Sequence, residues 1–70
     1  MNMANEILDV KGTAQTLGCS VAHVSNILNG KVAGVPPIPH IRAGRLRLIR
    51  RATLMRWIEE REEASKGSVN

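Results

Sequence analysis

Prolines at positions 36, 37 and 39 are the strongest constraint on this 70-residue chain. Proline fixes its own φ, lacks a backbone donor, and pushes the residue before it out of the helical region. Three prolines in four positions exclude a helix across residues 32–39, so that segment must run extended. The chain is thereby divided into two parts that must each supply regular elements. At this length they share one small core, which predicts a single domain over residues 1–70. Its ordered core is expected over about residues 7–63, with a flexible tail over residues 65–70.

Before the prolines, two short helices are written in caps and stripes. Asp9 is a suitable N-cap, because its carboxylate can accept from the free amides of a first turn. Val10, Thr13, Ala14 and Leu17 follow at helical spacing, and Gly18 supplies a left-handed stop. This predicts a helix over about residues 10–17, with Gly12 its weak point. Ser20 is the next N-cap. Val24, Ile27 and Leu28 form the following apolar stripe, which ends at Gly30. Two helices joined by Gly18-Cys19-Ser20 have helix-turn-helix anatomy.

After the prolines comes a hairpin signal. His40-Ile41-Arg42 reads as one strand, Ala43-Gly44 as the turn, and Arg45-Leu46-Arg47-Leu48 as the other strand. The alternation predicts Leu46 and Leu48 inward, Arg45 and Arg47 outward. A third helix is expected from about residue 51 to residue 63, with Leu54, Trp57 and Ile58 as its buried face. The expected fold is mainly α with a small β-hairpin: a winged helix-turn-helix with a two-stranded wing and a C-terminal helix.

Charge is distributed unevenly. The net charge is +4, but residues 10–58 contain no Asp or Glu at all. That stretch carries Lys11, Lys31, Arg42, Arg45, Arg47, Arg50, Arg51 and Arg56. The acids stand at the two ends: Glu6, Asp9, Glu59, Glu60, Glu62 and Glu63. Clearing carboxylates from a basic surface suits contact with a polyanion, since each would repel phosphate. A merely solvated basic face is the plainer alternative.

The order of these residues resembles the small excisionase-type DNA-binding proteins of phages and mobile elements, whose head is MerR-like. The resemblance runs through Leu8-Asp9-Val10, Ala14, Leu17-Gly18-Cys19-Ser20, Val24 and Ile27-Leu28. It continues through Ile38-Pro39-His40-Ile41-Arg42-Ala43-Gly44-Arg45-Leu46-Arg47 and Leu54-Met55-Arg56-Trp57-Ile58. Such relatives often carry an aromatic and an arginine where this chain has Ser25 and Asn26, and a shorter link before the wing. The segment from Ser20 to Lys31 is also similar to the recognition helix of lactose-repressor-family regulators, a resemblance that the prolines end. The excisionase resemblance implies a recombination directionality factor or a small phage-type regulator that bends or lines up on DNA. It further implies an integrase or recombinase as partner, and cooperating copies on the duplex.

The candidate DNA contacts follow. Ser20, His23, Ser25, Asn26 and Asn29 occupy or begin the outward face of the second helix, and Lys31 stands at its end. Asn pairs bidentately with adenine in the major groove, which makes Asn26 the first choice for base readout. The repressor resemblance adds Val21 and Ala22. Val21 has an alternative reading as core, because it shares a face with Val24 and Leu28. In the wing, Arg42, Gly44, Arg45 and Arg47 form a tight turn whose guanidiniums could lie along phosphates or enter a narrow minor groove. A charged edge that resists aggregation is the competing explanation.

Other chemistries lack their parts. Cys19 and His23 are an i, i+4 pair and His40 is the other histidine, which does not supply the ligands of a structural zinc site. No cofactor is expected. No nucleophile, base and orienter set is evident, so the chain is not expected to be an enzyme. One aromatic residue, Trp57, is too few for the stacking platforms of single-strand or RNA binders. One cysteine cannot form an internal disulfide, which fits a reducing, cytoplasmic setting; Cys19 itself reads as a small buried hydrophobe in the turn. Met1 to Asn5 does not read as a signal peptide, and no apolar run approaches a membrane span. Three alternatives stay open: a transcription repressor or activator, the DNA-binding head of a small terminase, and a protein-interaction module that does not bind DNA.

Overall fold

The computed structural model of the chain describes residues 6–67. Three helices and a three-stranded antiparallel sheet follow one another as β1 (Ile7–Leu8), α1 (Val10–Leu17), α2 (Val21–Leu28), β2 (Ile41–Ala43), β3 (Leu46–Arg50) and α3 (Arg51–Gly67). The architecture is mixed α/β, and it is compatible with a helix-turn-helix that carries a wing.

The two short helices form where their caps place them. The Asp9 carboxylate accepts from the amide of Gly12 at 2.7 Å. Gly18 adopts φ 75°, a left-handed conformation that other residues enter only with strain, and its N–H donates to the Ala14 carbonyl at 2.8 Å. Ser20 Oγ accepts from the amide of His23 at 3.1 Å and opens α2. Thr13 and Ala14 of α1 are buried, as are Val24, Ile27 and Leu28 of α2. Asn29 caps α2, and Gly30 follows it in the left-handed region. Cys19 is half-buried rather than fully buried and packs against the core from the turn.

The proline segment is not helical, as expected, but it is not extended throughout: Val32 to Val35 is a turn closed by the Val35 N–H donating to the Val32 carbonyl at 3.2 Å, with Gly34 at φ 76°, and the segment is fastened to α3. Ile38 is fully buried in the core. The indole Nε1 of Trp57 donates to the Pro36 carbonyl at 3.1 Å, and Arg61 Nη1 reaches the Gly34 carbonyl at 3.5 Å. Trp57 therefore serves both as core and as the polar tie for a stretch that has few donors of its own.

The sheet departs from the expected two-stranded wing. Its order is β1-β3-β2, so β3 is central. Strand β1 pairs Ile7 with Arg50 and Leu8 with Ile49. The Arg51 amide continues the pairing to the Glu6 carbonyl at 2.8 Å. Two residues are too few to show alternation, which is why β1 left no pattern in the sequence.

The hairpin differs in two further respects. Ala43 pairs with Leu46, so the turn residues are Gly44-Arg45 rather than Ala43-Gly44. Gly44 has φ 63° and, among the described residues, no non-glycine residue has positive φ, which is the pattern of a type II′ turn with glycine first. The facing is also reversed. Ile49 is fully buried against Leu8, so by the two-residue period Arg47 shares the inner face, while Leu46 and Leu48 turn outward. Leu46 is 58% exposed. A one-residue change of register inverts every side chain of a strand, and here the Leu8–Ile49 pair selects the register.

Helix α3 buries Leu54 and Trp57, with Ile58 half-buried. It runs on to Gly67, past the expected end near residue 63. The tail expected over residues 65–70 is thus helical through Gly67, and the remainder lies outside the described residues, as does the Met1 to Asn5 segment.

Candidate nucleic-acid interface

On α2, Ala22, Asn26 and Asn29 lie on the face turned away from Val24, Ile27 and Leu28, and all three are exposed. His23 and Ser25 flank that arc, His23 exposed and Ser25 half-buried. Val21 is 49% exposed, so it does not belong to the core. Asn29 is the C-cap, and Lys31, exposed just beyond it, is held by its amide to the Asn26 carbonyl at 2.9 Å. Ser20 has a structural duty: its Oγ accepts the capping bond, which leaves its hydroxyl proton free for a partner. This face presents amides, a hydroxyl, an imidazole and small apolar groups, and it carries no carboxylate.

The hairpin gathers cations instead. Arg42 of β2 stands directly opposite Arg47 of β3. Beyond the closing Ala43/Leu46 pair this is a non-hydrogen-bonded position, where facing side chains come closest. Like charges directly opposite each other destabilise a sheet. Arg47 is half-buried, and its Nη1 is shielded from solvent without a hydrogen-bond partner. Arg42 is exposed, and Arg45 is exposed at the turn rather than within a strand. Among the described residues, the ion pair is between Arg51 and Glu6, at 4.0 Å, and it involves none of the hairpin arginines.

The sequence-based candidates thus fall into two groups, the outward arc of α2 and the arginines of the hairpin. Arg50 was not among them. It is exposed on the outer face of β3, beside Ile7, and the adjacent apolar pair Leu48-Ile49 was the signal that the alternation admitted either facing.

Among the described residues, no group of three or more His, Cys, Asp or Glu side chains is placed to hold a metal ion. His40 Nδ1 lies 2.8 Å from the Ile38 carbonyl. No described helix is long and apolar enough to cross a membrane. A shallow recess of about 230 Å³ is lined by Pro39, His40, Ile41, Leu48, Arg50 and Thr53. Another of about 530 Å³ runs along α3 between Arg56 and Glu59, Glu60, Glu62 and Glu63. No protein-family model, no curated protein and no solved structure matches this chain.

Proposed function

We propose that this chain is a sequence-specific double-stranded-DNA-binding module of winged helix-turn-helix type, working as an excisionase-like recombination directionality factor or a small phage-type regulator. The observation that carries the reading is the opposed pair Arg42 and Arg47, set in a stretch of 49 residues (10–58) without a carboxylate. Such a pair costs stability in the free protein, and phosphate oxygens beside the hairpin supply the missing counter-charge.

In this reading α2 enters the major groove. Its amides read base edges, with Asn26 on adenine, while Ser20, His23 and Lys31 hold the backbone. Ala22 and Val21 meet thymine methyl groups. The hairpin arginines Arg42, Arg45 and Arg47 grip flanking phosphates or a narrow minor groove around the Gly44 turn. A module this small makes few base contacts, so cooperating copies or a recombinase partner complete the specificity.

The test is a duplex titration at several salt concentrations. About five phosphate contacts give a log–log salt slope near −4 to −5. Replacing Arg42 and Arg47 with Ala weakens binding to all duplexes and flattens that slope by about two. Replacing Asn26 with Ala leaves the slope alone and erodes discrimination at one base pair by about 1–3 kcal/mol. The reading is overturned if the parent binds no duplex, or if the arginine variant keeps the parent affinity and slope. Footprinting then separates the biological roles, because a directionality factor occupies an attachment site and a regulator occupies a promoter.

A further inference from the structure

The outer face of the sheet carries an apolar surface with no role in the DNA contacts above. Ile7, Ile41 and Leu46 are 54%, 59% and 58% exposed. The register brings all three to one face. Ile7 stands opposite Arg50, Ile41 opposite Leu48, and Ala43 opposite Leu46, while residues 46, 48 and 50 share a side of β3. The core and the Arg42/Arg47 pair take the other side, through Leu8, Ile49 and the two arginines. A sheet with one solvated face ordinarily carries polar residues there. In this hairpin the polar and apolar faces are exchanged, so the side away from the core is the apolar one. Contiguous exposed apolar surface of this kind marks a contact site.

The recess of about 230 Å³ belongs to this face, between the strands and the start of α3. Its floor is Pro39, Ile41 and Leu48, and its polar groups are Arg50, His40 and Thr53, with no carboxylate. That composition selects among occupants. A second copy placed face to face would offer Arg50 only the same set of groups, which holds no carboxylate. The acid-rich stretch of this chain, residues 59–63, contains no apolar side chain that could fill the recess. An occupant must therefore bring apolar side chains and carboxylates together.

We infer that this outer sheet face docks an extended segment of a partner protein in which apolar and acidic residues take turns at every second position, so that both point to the same side. Apolar side chains enter the recess over Ile41 and Leu48, and a carboxylate pairs with Arg50. Successive side chains of an extended segment point to opposite sides, so apolar and acidic residues two positions apart present both chemistries to one surface. The docking face and the Arg42/Arg47 face are opposite sides of one hairpin, so partner and polyanion do not compete for the same side chains. The inference rests on the sheet geometry and not on the DNA reading.

The probe is a fluorescein-labelled short peptide in which leucine and glutamate take turns at every second position with serine between them, followed by anisotropy. Its controls replace glutamate by lysine in one peptide and leucine by serine in another. Saturable binding of the leucine–glutamate peptide alone is expected. The double variant Ile41→Ser/Leu46→Ser and the single variant Arg50→Gln should each weaken it by about tenfold or more, as truncation of a central contact does. All three positions are exposed, so the fold should survive, which the near-ultraviolet signal of Trp57 checks. Four results overturn the inference: no saturable binding; equal binding of the serine–glutamate peptide, which means charge alone; a dimer by sedimentation that the double variant abolishes, which assigns the face to a second copy; or binding to phosphatidylserine vesicles lost in that variant, which assigns it to lipid. Duplex titration of the same samples keeps failure here separate from failure of the DNA reading.

Discussion

Thr13 sits fully buried in α1 with no hydrogen-bond partner for its hydroxyl. A buried, unpaired hydroxyl costs about 1–3 kcal/mol of desolvation. Valine has nearly the same shape, so Thr13→Val removes the unpaired group without opening a cavity. It should raise the unfolding free energy by about 1 kcal/mol, read from the midpoint of a urea transition with its slope unchanged. Lower stability would mean that the hydroxyl has a partner in solution. Val21 shows the opposite situation, an apolar residue left half in water. Its position relative to Val24 and Leu28 suggested core, but a helix that begins at Ser20 places Val21 at its first position. There the neighbouring turn that would cover it does not exist. Spacing gave the helical phase correctly and could not reveal what stands beside the first turn.

Elements differ in how much of them is local. Both short helices were legible because their caps are decided within a few residues: Asp9 with Gly12, Ser20 with His23, and Gly18 by its own φ. The outward arc of α2 was legible for the same reason, since helical phase alone places Asn26 opposite Val24. The sheet was less legible. Strand β1 exists only through its pairing with Arg50 and Ile49, and that long-range partner also decides which side of β3 faces the core. The hairpin was visible as arginines around a glycine, whereas the faces of its side chains were not. The link over residues 32–39 lies between these cases. The prolines forbade a helix there, but only the fold shows Trp57 donating to Pro36. Trp57→Phe tests that tie. It keeps an aromatic ring in the core and removes the donor, leaving the Pro36 carbonyl without that bond. A loss of about 1–2 kcal/mol is expected from the hydrogen bond and the smaller ring together. Amide exchange should quicken at Val35, whose N–H donates to the Val32 carbonyl in the same link, more than at Val24 in α2. Uniform acceleration across both sites would show that the indole contributes bulk only.

At the scale of the whole molecule, charge is sorted along an elongated body of 41 × 30 × 18 Å. Arginines gather on the hairpin, and Glu59, Glu60, Glu62 and Glu63 lie exposed towards the far part of α3. Among those acids Glu63 alone stands about one turn from the helix end at Gly67, so the macrodipole opposes them only weakly. At 1.5 Å per residue they stand about 12–18 Å along α3 from Arg51, where the helix leaves the sheet. The Debye length is about 8 Å at physiological ionic strength and about 30 Å at 0.01 M. If α2 and the hairpin make the DNA contacts, these glutamates repel phosphate only through the long-range field. Replacing all four with Gln should then tighten duplex binding clearly in dilute buffer and hardly at all at physiological salt, while thermal stability stays level or rises by a few tenths of a kcal/mol. A gain that persists at physiological salt would place the acidic end of α3 beside the phosphates, and the duplex would then have to lie along a different side of the molecule from the one that α2 and the hairpin define.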